Sequence, residues 1–194
     1  MNLEDHENSG RMKVWLDTSE VDEMISAIGN TQKEIAISLG VRCGLRSKEW
    51  LDVTPRHVRD TSSGWMLRVP DGKGGKYRET PIPEHLAAMI RAAGDYTGGP
   101  DSPVLQVEST RTLRRWVNDI GVTMSERSGD PGWLELSTHD LRRTWATGLA
   151  DNEVDPLMAL KWGGWNDLDT FLDHYKGPYS PEAIRDNRAK VEWL

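Results

Sequence analysis

The chain lacks the residues on which several classes of protein depend. Cys43 is its one cysteine among 194 residues, so an internal disulfide framework is excluded, and a lone thiol suits a reducing cytoplasm. The five histidines are scattered, with no His-x-x-x-His pair and no cysteine-rich knuckle, which argues against a metal site. There is no run of about 18 apolar residues and no basic-then-apolar leader, so neither a membrane span nor secretion is predicted.

Net positive charge is also missing. The formal charge of −7 argues against a general nucleic-acid binder, which is usually basic. The charge is nevertheless unevenly distributed: residues 1–41 carry 3 basic and 8 acidic side chains, whereas residues 42–80 carry 9 basic and 5 acidic ones. Arginine outnumbers lysine by 16 to 8 and aspartate is abundant, a composition typical of proteins from salt-loving archaea.

A possible catalytic pair occurs after Ser137 and Thr138, which are good helix N-caps and predict a helix from about His139. His139 and Arg142 are three residues apart and therefore share a face of that helix. The apolar positions form another face: Leu141, Trp145 and Leu149. An imidazole beside a guanidinium suits the transition state of a phosphodiester, although this spacing also arises by chance on solvated helices.

Three further segments contain candidate groups. Gly44-Leu45-Arg46 leads into a short helix, where an arginine near the positive helix end favours a bound anion; a surface pair between Arg46 and Glu49 is the alternative. Residues 65–69 and 77–82 predict two strands joined by a turn that carries Lys73 and Lys76. That turn lacks the Gly-Lys-Ser/Thr ending of a P-loop and leads into a strand, so its lysines are either functional or simply solvated.

The third segment is a glycine turn that presents Trp165, followed by a helical run from Leu168 to His174 that ends in Tyr175.

Elsewhere, residues 1–14 are polar and predict a flexible tail, and residues 83–94 predict a helix followed by a loop over 95–103. Ser109 predicts the cap of a helix rich in arginine, residues 121–136 predict a loop, and Ser180 opens a last helix.

Taken in order, these segments resemble the tyrosine recombinases, or phage integrase family. The resemblance assigns catalytic roles to Arg46, Lys73 (with Lys76 as its substitute), His139, Arg142, Trp165 and Tyr175. It makes Glu49 a structural neighbour of Arg46, and Trp165 stands where most members have histidine. Tyr179 is the rival nucleophile, but Pro178 and Pro181 place it in an extended connector.

The resemblance implies a mainly α-helical fold with a small antiparallel β-sheet. It places a catalytic domain at residues 15–194, and we expect no separate N-terminal DNA-clamping domain in this chain. It implies double-stranded DNA as substrate and assembly of protomers on that DNA, without metal, ATP or other cofactor. The candidate DNA contacts are Lys76, Arg111, Arg114, Arg115 and Arg143.

The chemistry implied is site-specific cutting and rejoining through a 3′-phosphotyrosine. Two alternatives remain open at this point: a type IB topoisomerase, which uses the same chemistry, and a DNA-binding regulator that has kept the fold and lost catalysis.

Overall fold

A computed structural model describes residues 1–5, 12–72, 76–175 and 179–193. The strands in these ranges are β1 (Asn2–Asp5), β2 (Met12–Trp15), β3 (Val58–Thr61), β4 (Gly64–Gly72) and β5 (Lys76–Pro81). The α-helices are α1 (Thr18–Ser26), α2 (Thr31–Val41), α3 (Ser47–Trp50), α4 (Glu84–Thr97), α5 (Thr110–Ser128), α6 (Thr138–Asp151), α7 (Pro156–Gly163), α8 (Leu168–Tyr175) and α9 (Pro181–Ala189). Short 3₁₀ helices occur at Pro55–His57 and Pro131–Glu135. The predicted class, mainly α with a small antiparallel sheet, is confirmed.

Two sheets are present in the described ranges. Strands β3, β4 and β5 form an antiparallel sheet in that order, with a bulge between Val69 and Gly72. Strands β1 and β2 form an antiparallel pair in which Leu3 lies opposite Val14. None of the helices in the described part of the chain is both long enough and apolar enough to cross a membrane.

The β1–β2 pair corrects the prediction of a flexible tail over residues 1–14, because residues 2–5 and 12–14 lie in paired strands; residues 6–11 fall outside the described ranges. Val14 is fully buried, and its backbone N–H donates to Oδ1 of Asp140 at 3.2 Å. The N–H of Leu16 donates to Oγ1 of Thr144 at 3.1 Å. Polar side chains of α6 thus hydrogen-bond the backbone of β2 and of the residue that follows it. The composition of residues 1–14 does not reveal this contact.

The predicted loop over residues 121–136 is wrong. Helix α5 continues to Ser128 and ends at Gly129, which has a left-handed φ of 74°. Gly121 lies inside this helix, where an added Cβ would come within 2.5 Å of the carbonyl oxygen of Trp133. The glycine therefore allows a close backbone approach rather than ending the helix. Similarly, α4 runs past Gly94 to Thr97, into the predicted loop.

The core consists of two clusters of buried side chains. The larger lies between α2, α4, α5, the three-stranded sheet and one side of α6, and includes Leu39, Trp50 and Leu141. The smaller lies beneath the C-terminal half of α6 together with α7 and α8. It contains Trp145, Ala146, Ala159, Trp165 and Phe171. Helix α6 thus joins both clusters.

Candidate active site

The turn before Arg46 is shaped by its contact with α6. Gly44 adopts a left-handed φ of 66°, and an added Cβ would lie 2.1 Å from the Trp145 ring, so only glycine fits there. The neighbouring Cys43 is fully buried, and its carbonyl accepts a hydrogen bond from the Thr80 hydroxyl at 3.1 Å. Burial raises the pKa of the Cys43 thiol well above its ordinary value. The turn carries Arg46 to the start of α3, close to α6.

The pair between Arg46 and Glu49 exists, but it is not a surface pair. The Arg46 side chain is 31% exposed, whereas that of Glu49 is 5% exposed. Oε2 of Glu49 accepts the backbone N–H of Arg46 at 2.7 Å, and Oε1 accepts Nη1 of Arg46 at 3.1 Å. Burial raises the pKa of Glu49, but hydrogen bonds and charge from Arg78, and then from Arg46, outweigh burial and hold it below its usual value.

Arg142 is buried in α6, and backbone carbonyls hold it. Its Nη1 donates to the carbonyl of Gly44, and its Nη2 donates to the carbonyl of Gly163 at 2.7 Å. Burial, and then the charges of Arg46 and Arg78, lower the pKa of Arg142 to about 9, so it remains cationic at neutral pH. Among the described residues, no carboxylate lies within ion-pair distance of it. Such a cation is well placed to bind an anionic ligand.

Arg46, His139 and Arg142 line one open cleft with a volume of about 540 Å³. Its remaining lining residues are Ser47, Lys48, Glu49, Arg114, Thr138, Trp165 and Thr170. The His139 side chain keeps an exposed face, yet packing around it, and then the charge of Arg143, lower its pKa below the ordinary value. A largely neutral imidazole therefore stands beside two guanidinium groups, an arrangement able to bind a phosphate and accept a proton.

Trp165 is a buried platform rather than an indole presented to solvent. It is 5% exposed, and the guanidinium carbon of Arg142 lies 4.5 Å from its ring centroid. Its ring stacks on Trp145 at 5.9 Å and meets Phe171 edge-on at 4.9 Å. Gly163 is required beneath the ring, because an added Cβ there would approach it to 1.9 Å. The tryptophan thus supports Arg142 from below by a cation–π contact.

Three of the predicted residues fall wholly or partly outside the described ranges. Lys73 lies outside them entirely. Lys76 begins strand β5, and Tyr175 is the last residue of α8, but the side chain of each lies outside the described residues. Thr170, from the same helix as Tyr175, reaches the cleft. Tyr179 is 59% exposed and lines a separate depression with Ala183 and Ile184.

The arginines expected to contact DNA separate into two groups. Arg111, Arg114 and Arg115 are exposed on α5, and Arg114 also lines the cleft. Arg143 differs, because its Nη1 is paired with the buried carboxylate of Asp140 and its side chain is 17% exposed. Arg143 is thus committed to an intramolecular ion pair.

Sequence reasoning missed Arg78, which lies in β5 and is 4% exposed. In the structure, Arg78, Thr80 and Ile82 alternate with Tyr77, Glu79 and Pro81 in burial, which is the two-residue period of a strand; the sequence does not show this period, because the inward-facing Arg78 and Thr80 are polar. This period puts Arg78 on the inner face, where an arginine needs a carboxylate partner. Lys48, which lines the cleft, was missed as well, and its sequence context carried no distinguishing signal.

Comparisons with known proteins agree with this geometry. The sequence model described as "Phage integrase family" matches residues 14–180. The tyrosine recombinase XerA of Thermococcus kodakarensis is 31% identical over 182 residues, covering 92% of this chain and 63% of the relative. The relative of the same name from Pyrococcus furiosus is 27% identical over 160 residues, covering 80% of this chain and 54% of its own length. The chain therefore spans between half and two thirds of these relatives.

Solved structures share the fold. A crystal structure of XerA recombinase superposes with a TM-score of 0.74 at 20% identity, covering 92% of this chain and 65% of that one. The catalytic domain of bacteriophage HP1 integrase superposes with a TM-score of 0.59 at 16% identity, covering 93% of this chain and 96% of that one.

Proposed function

Since this chain belongs to the phage integrase family, we propose that it is a site-specific DNA recombinase that cuts and rejoins strands through a 3′-phosphotyrosine. One observation carries the proposal: Arg46 and Arg142 line the same cleft as His139, and Arg142 is a buried cation bonded to backbone carbonyls and packed on an aromatic face. A phosphodiester supplies the negative charge that Arg142 lacks within ion-pair distance among the described residues.

In the proposed reaction, the hydroxyl oxygen of Tyr175 bonds to the scissile phosphorus as the bond to the 5′ oxygen breaks. Arg46 and Arg142 bind the non-bridging oxygens and stabilise the charge that grows on them. His139 takes part in proton transfer at the phosphoryl and tyrosyl oxygens, and the lowered pKa keeps it able to accept a proton. The family resemblance assigns protonation of the leaving 5′ oxygen to Lys73.

The nucleophile is tested by covalent trapping. Nicked duplexes with a randomised centre are incubated with the 194-residue chain, and SDS-stable protein–DNA adducts are isolated and mapped by mass spectrometry. We expect adducts on Tyr175, loss of adduct in Tyr175→Phe with DNA binding retained, and an unchanged adduct in Tyr179→Phe as the matched control.

Different outcomes would separate the rival activities. An adduct that survives in Tyr175→Phe, or one mapped to Tyr179, would overturn the assigned nucleophile. DNA binding without any adduct would instead indicate a regulator that has lost catalysis. Relaxation of supercoiled plasmid by the wild type, without exchange between two DNA molecules, would indicate a topoisomerase.

Protomer assembly on DNA is part of the proposal. Helix α9 begins beside the end of its own α6: the N–H of its N-cap Ser180 donates to Oδ2 of Asp151 at 3.4 Å, and Ala183 is 3% exposed. We infer that this helix exchanges onto a neighbouring protomer during synapsis. Deleting residues 182–194 should then abolish strand exchange while sparing the adduct, and recombination that survives the deletion would exclude the exchange.

The setting is also a proposal: a mobile element or virus of a salt-loving archaeon, with the protein acting in the cytoplasm. The acidic, arginine-rich composition supports it. Circular dichroism in multimolar potassium chloride should show a helix content equal to or above that at low salt. Precipitation or unfolding there would contradict the habitat while leaving the enzymatic proposal intact.

A further inference from the structure

Arg78 is fully engaged beneath the cleft without lining it. Its Nη1 and Nη2 donate to Oε1 and Oε2 of Glu49 at 2.8 and 2.7 Å. Its Nε donates to the carbonyl of Trp162 at 3.0 Å. Every nitrogen of this buried guanidinium therefore has a partner, and Arg78 is not itself available to a phosphate.

The bidentate bond between Arg78 and Glu49 determines how strongly Glu49 can bind Arg46. Both carboxylate oxygens are engaged by Arg78 at short distance, whereas the Arg46 side chain makes one longer bond of 3.1 Å. Two parallel bonds between a guanidinium and a carboxylate are the stronger arrangement. Arg46 is therefore only loosely held, and its side chain stays partly exposed at the cleft.

Arg78 also contacts the turn that supports Arg142. It bonds the carbonyl of Trp162, and the next carbonyl along, that of Gly163, accepts Nη2 of Arg142. Gly164 packs directly on Arg78, since an added Cβ would lie 2.8 Å from its Cδ. One side chain thus touches the supports of both cleft arginines.

We propose that Arg78 is a positioning residue: by occupying both oxygens of Glu49 it leaves Arg46 loosely held and able to bind a phosphate, and through the turn at residues 162–164 it fixes Arg142. Without Arg78, the buried carboxylate of Glu49 keeps Arg46 as its one remaining partner in the part of the chain that the structure describes. An unpaired buried charge is strongly unfavourable, so Glu49 would draw the Arg46 guanidinium inward and remove one cation from the cleft.

The role predicts a specific pH effect. Arg78 is the main group that holds the pKa of Glu49 down against burial, so its removal raises that pKa. Acidification should then neutralise Glu49 in an Arg78 variant and release Arg46. Within the described ranges, the other ionisable groups around Glu49 and the cleft are Lys48, Asp52, His57, Arg68, Arg114, His139 and Arg142. These are shared with the wild type, so the ratio of variant to wild type isolates Glu49.

The test uses the 194-residue chain with ¹⁵N-labelled arginine and sulfate as probe, because sulfate is tetrahedral and keeps its charge over the pH range used. Titration at constant ionic strength is followed by the Nε–H resonances of Arg46 and Arg142. We expect both to shift in the wild type, and Arg78→Gln to bind sulfate about tenfold more weakly at neutral pH. Arg56→Gln removes an exposed arginine that pairs with Asp101, and should match the wild type.

Two further measurements separate positioning from a merely structural role. Lowering the pH should narrow the difference in sulfate affinity between Arg78→Gln and wild type, and adding Glu49→Gln to Arg78→Gln should restore the part of that affinity, and the shift, that depends on Arg46. If Arg78→Gln does not fold, the double variant, which contains no unpaired buried carboxylate, is compared with Glu49→Gln alone. In that comparison Arg142 alone should lose its sulfate-dependent shift, because only the turn contact has been removed.

The inference rests on the proposed function only for its relevance to cleavage, since sulfate binding is measured without DNA. In the adduct assay, Arg78→Gln should lower the rate of adduct formation more than DNA affinity. An inactive wild type would end the recombinase proposal and leave the sulfate result decisive for Arg78. Three results would overturn the positioning role. They are equal sulfate affinity in Arg78→Gln and wild type, a difference in affinity that does not change with pH, and no sulfate-dependent shift of the Arg46 and Arg142 resonances in the wild type.

Discussion

His57 shows how a single side chain can tie stability to pH. Its Nδ1 accepts the backbone N–H of Thr54 at 3.2 Å and so caps the 3₁₀ helix at Pro55–His57. Partial burial, and then the charge of Arg68, lower the pKa of His57 below its ordinary value, against the opposing effect of Asp52 and Asp101. A proton on Nδ1 would remove the acceptor for Thr54, so the neutral form belongs to the fold.

We expect the free energy of unfolding to fall as the pH drops from about 7.5 to about 5.5. Because the pKa of His57 is lower in the folded than in the unfolded chain, the unfolded chain binds more protons in this pH window. The stabilisation is complete above the ordinary histidine pKa and is lost as the pH falls to the pKa of the folded state. His57→Asn keeps a hydrogen-bond acceptor that cannot titrate. Its free energy of unfolding, measured with urea at each pH, should therefore change less steeply with pH than that of the wild type. A slope equal to that of wild type would contradict the assignment.

His57→Ala provides the control. It removes titration as well, but it leaves the Thr54 N–H without its partner, so it should be less stable than His57→Asn by about 1 kcal/mol even at neutral pH.

Among the elements, α5 depends on a glycine in its interior. The backbone oxygen of Trp133 lies 2.5 Å from the position that the Cβ of any other residue at position 121 would take, and a backbone atom cannot turn aside as a flexible side chain can. By contrast, Gly148 in α6 has no atom within 4 Å of its added Cβ. The two helical glycines therefore differ in function: one allows close packing, and the other only costs helix propensity.

Gly121→Ala should destabilise the protein by roughly 1–3 kcal/mol through overpacking. Gly148→Ala, its matched control, should stabilise it by about 0.5–1 kcal/mol because alanine is the better helix former. Urea unfolding of both variants measures these changes. If Gly121→Ala left the free energy of unfolding unchanged, the 131–135 segment would be able to move away from α5 at little cost.

The same elements show what could be predicted from sequence. Helices with a clear cap and periodic apolar residues, such as α6 after Ser137, were predicted within a residue or two. Strand β3 was missed because it has four residues, two of them exposed and charged. Helix α7 was missed because Pro156 resembles a breaker, although it stands at the first helical position behind the Asp155 cap.

For the candidate site, the resemblance drawn from the order of the motifs predicted Arg46, His139 and Arg142, and the structure brings these three side chains to one cleft. It did not reveal Arg78, whose partner Glu49 lies 29 residues away and is brought to it only by the sheet and α3. Nor did it reveal that Trp165 packs beneath Arg142, because ring stacking depends on how α7 and α8 meet α6. Sequence patterns predicted the candidate groups, and tertiary packing supplied their supports.

At the scale of the whole molecule, an acidic protein is proposed to bind an acidic polymer. The net charge of −7 opposes non-specific association with DNA, so binding should depend on the few cations that line the cleft and on the exposed arginines of α5. A small number of phosphate contacts releases few counterions.

We therefore expect the logarithm of the binding constant to fall with the logarithm of salt concentration with a slope smaller than about 5 in magnitude. Fluorescence anisotropy with a DNA selected in the trapping experiment measures it. Arg114→Gln should reduce the slope by about 1, whereas Arg56→Gln should leave it unchanged. A steep slope in the wild type would indicate a broad basic surface instead.

The buried thiol of Cys43 makes it possible to measure how often the structure around it opens. The one thiol of the chain, Cys43, is fully buried at the junction where its carbonyl is bonded to strand β5, and burial keeps the thiol protonated. A maleimide reagent can reach the thiol only when the structure around this junction opens, so the labelling rate reports how often that happens. If the rate falls when DNA is added, substrate binding fastens the same junction that places Arg46 in the cleft.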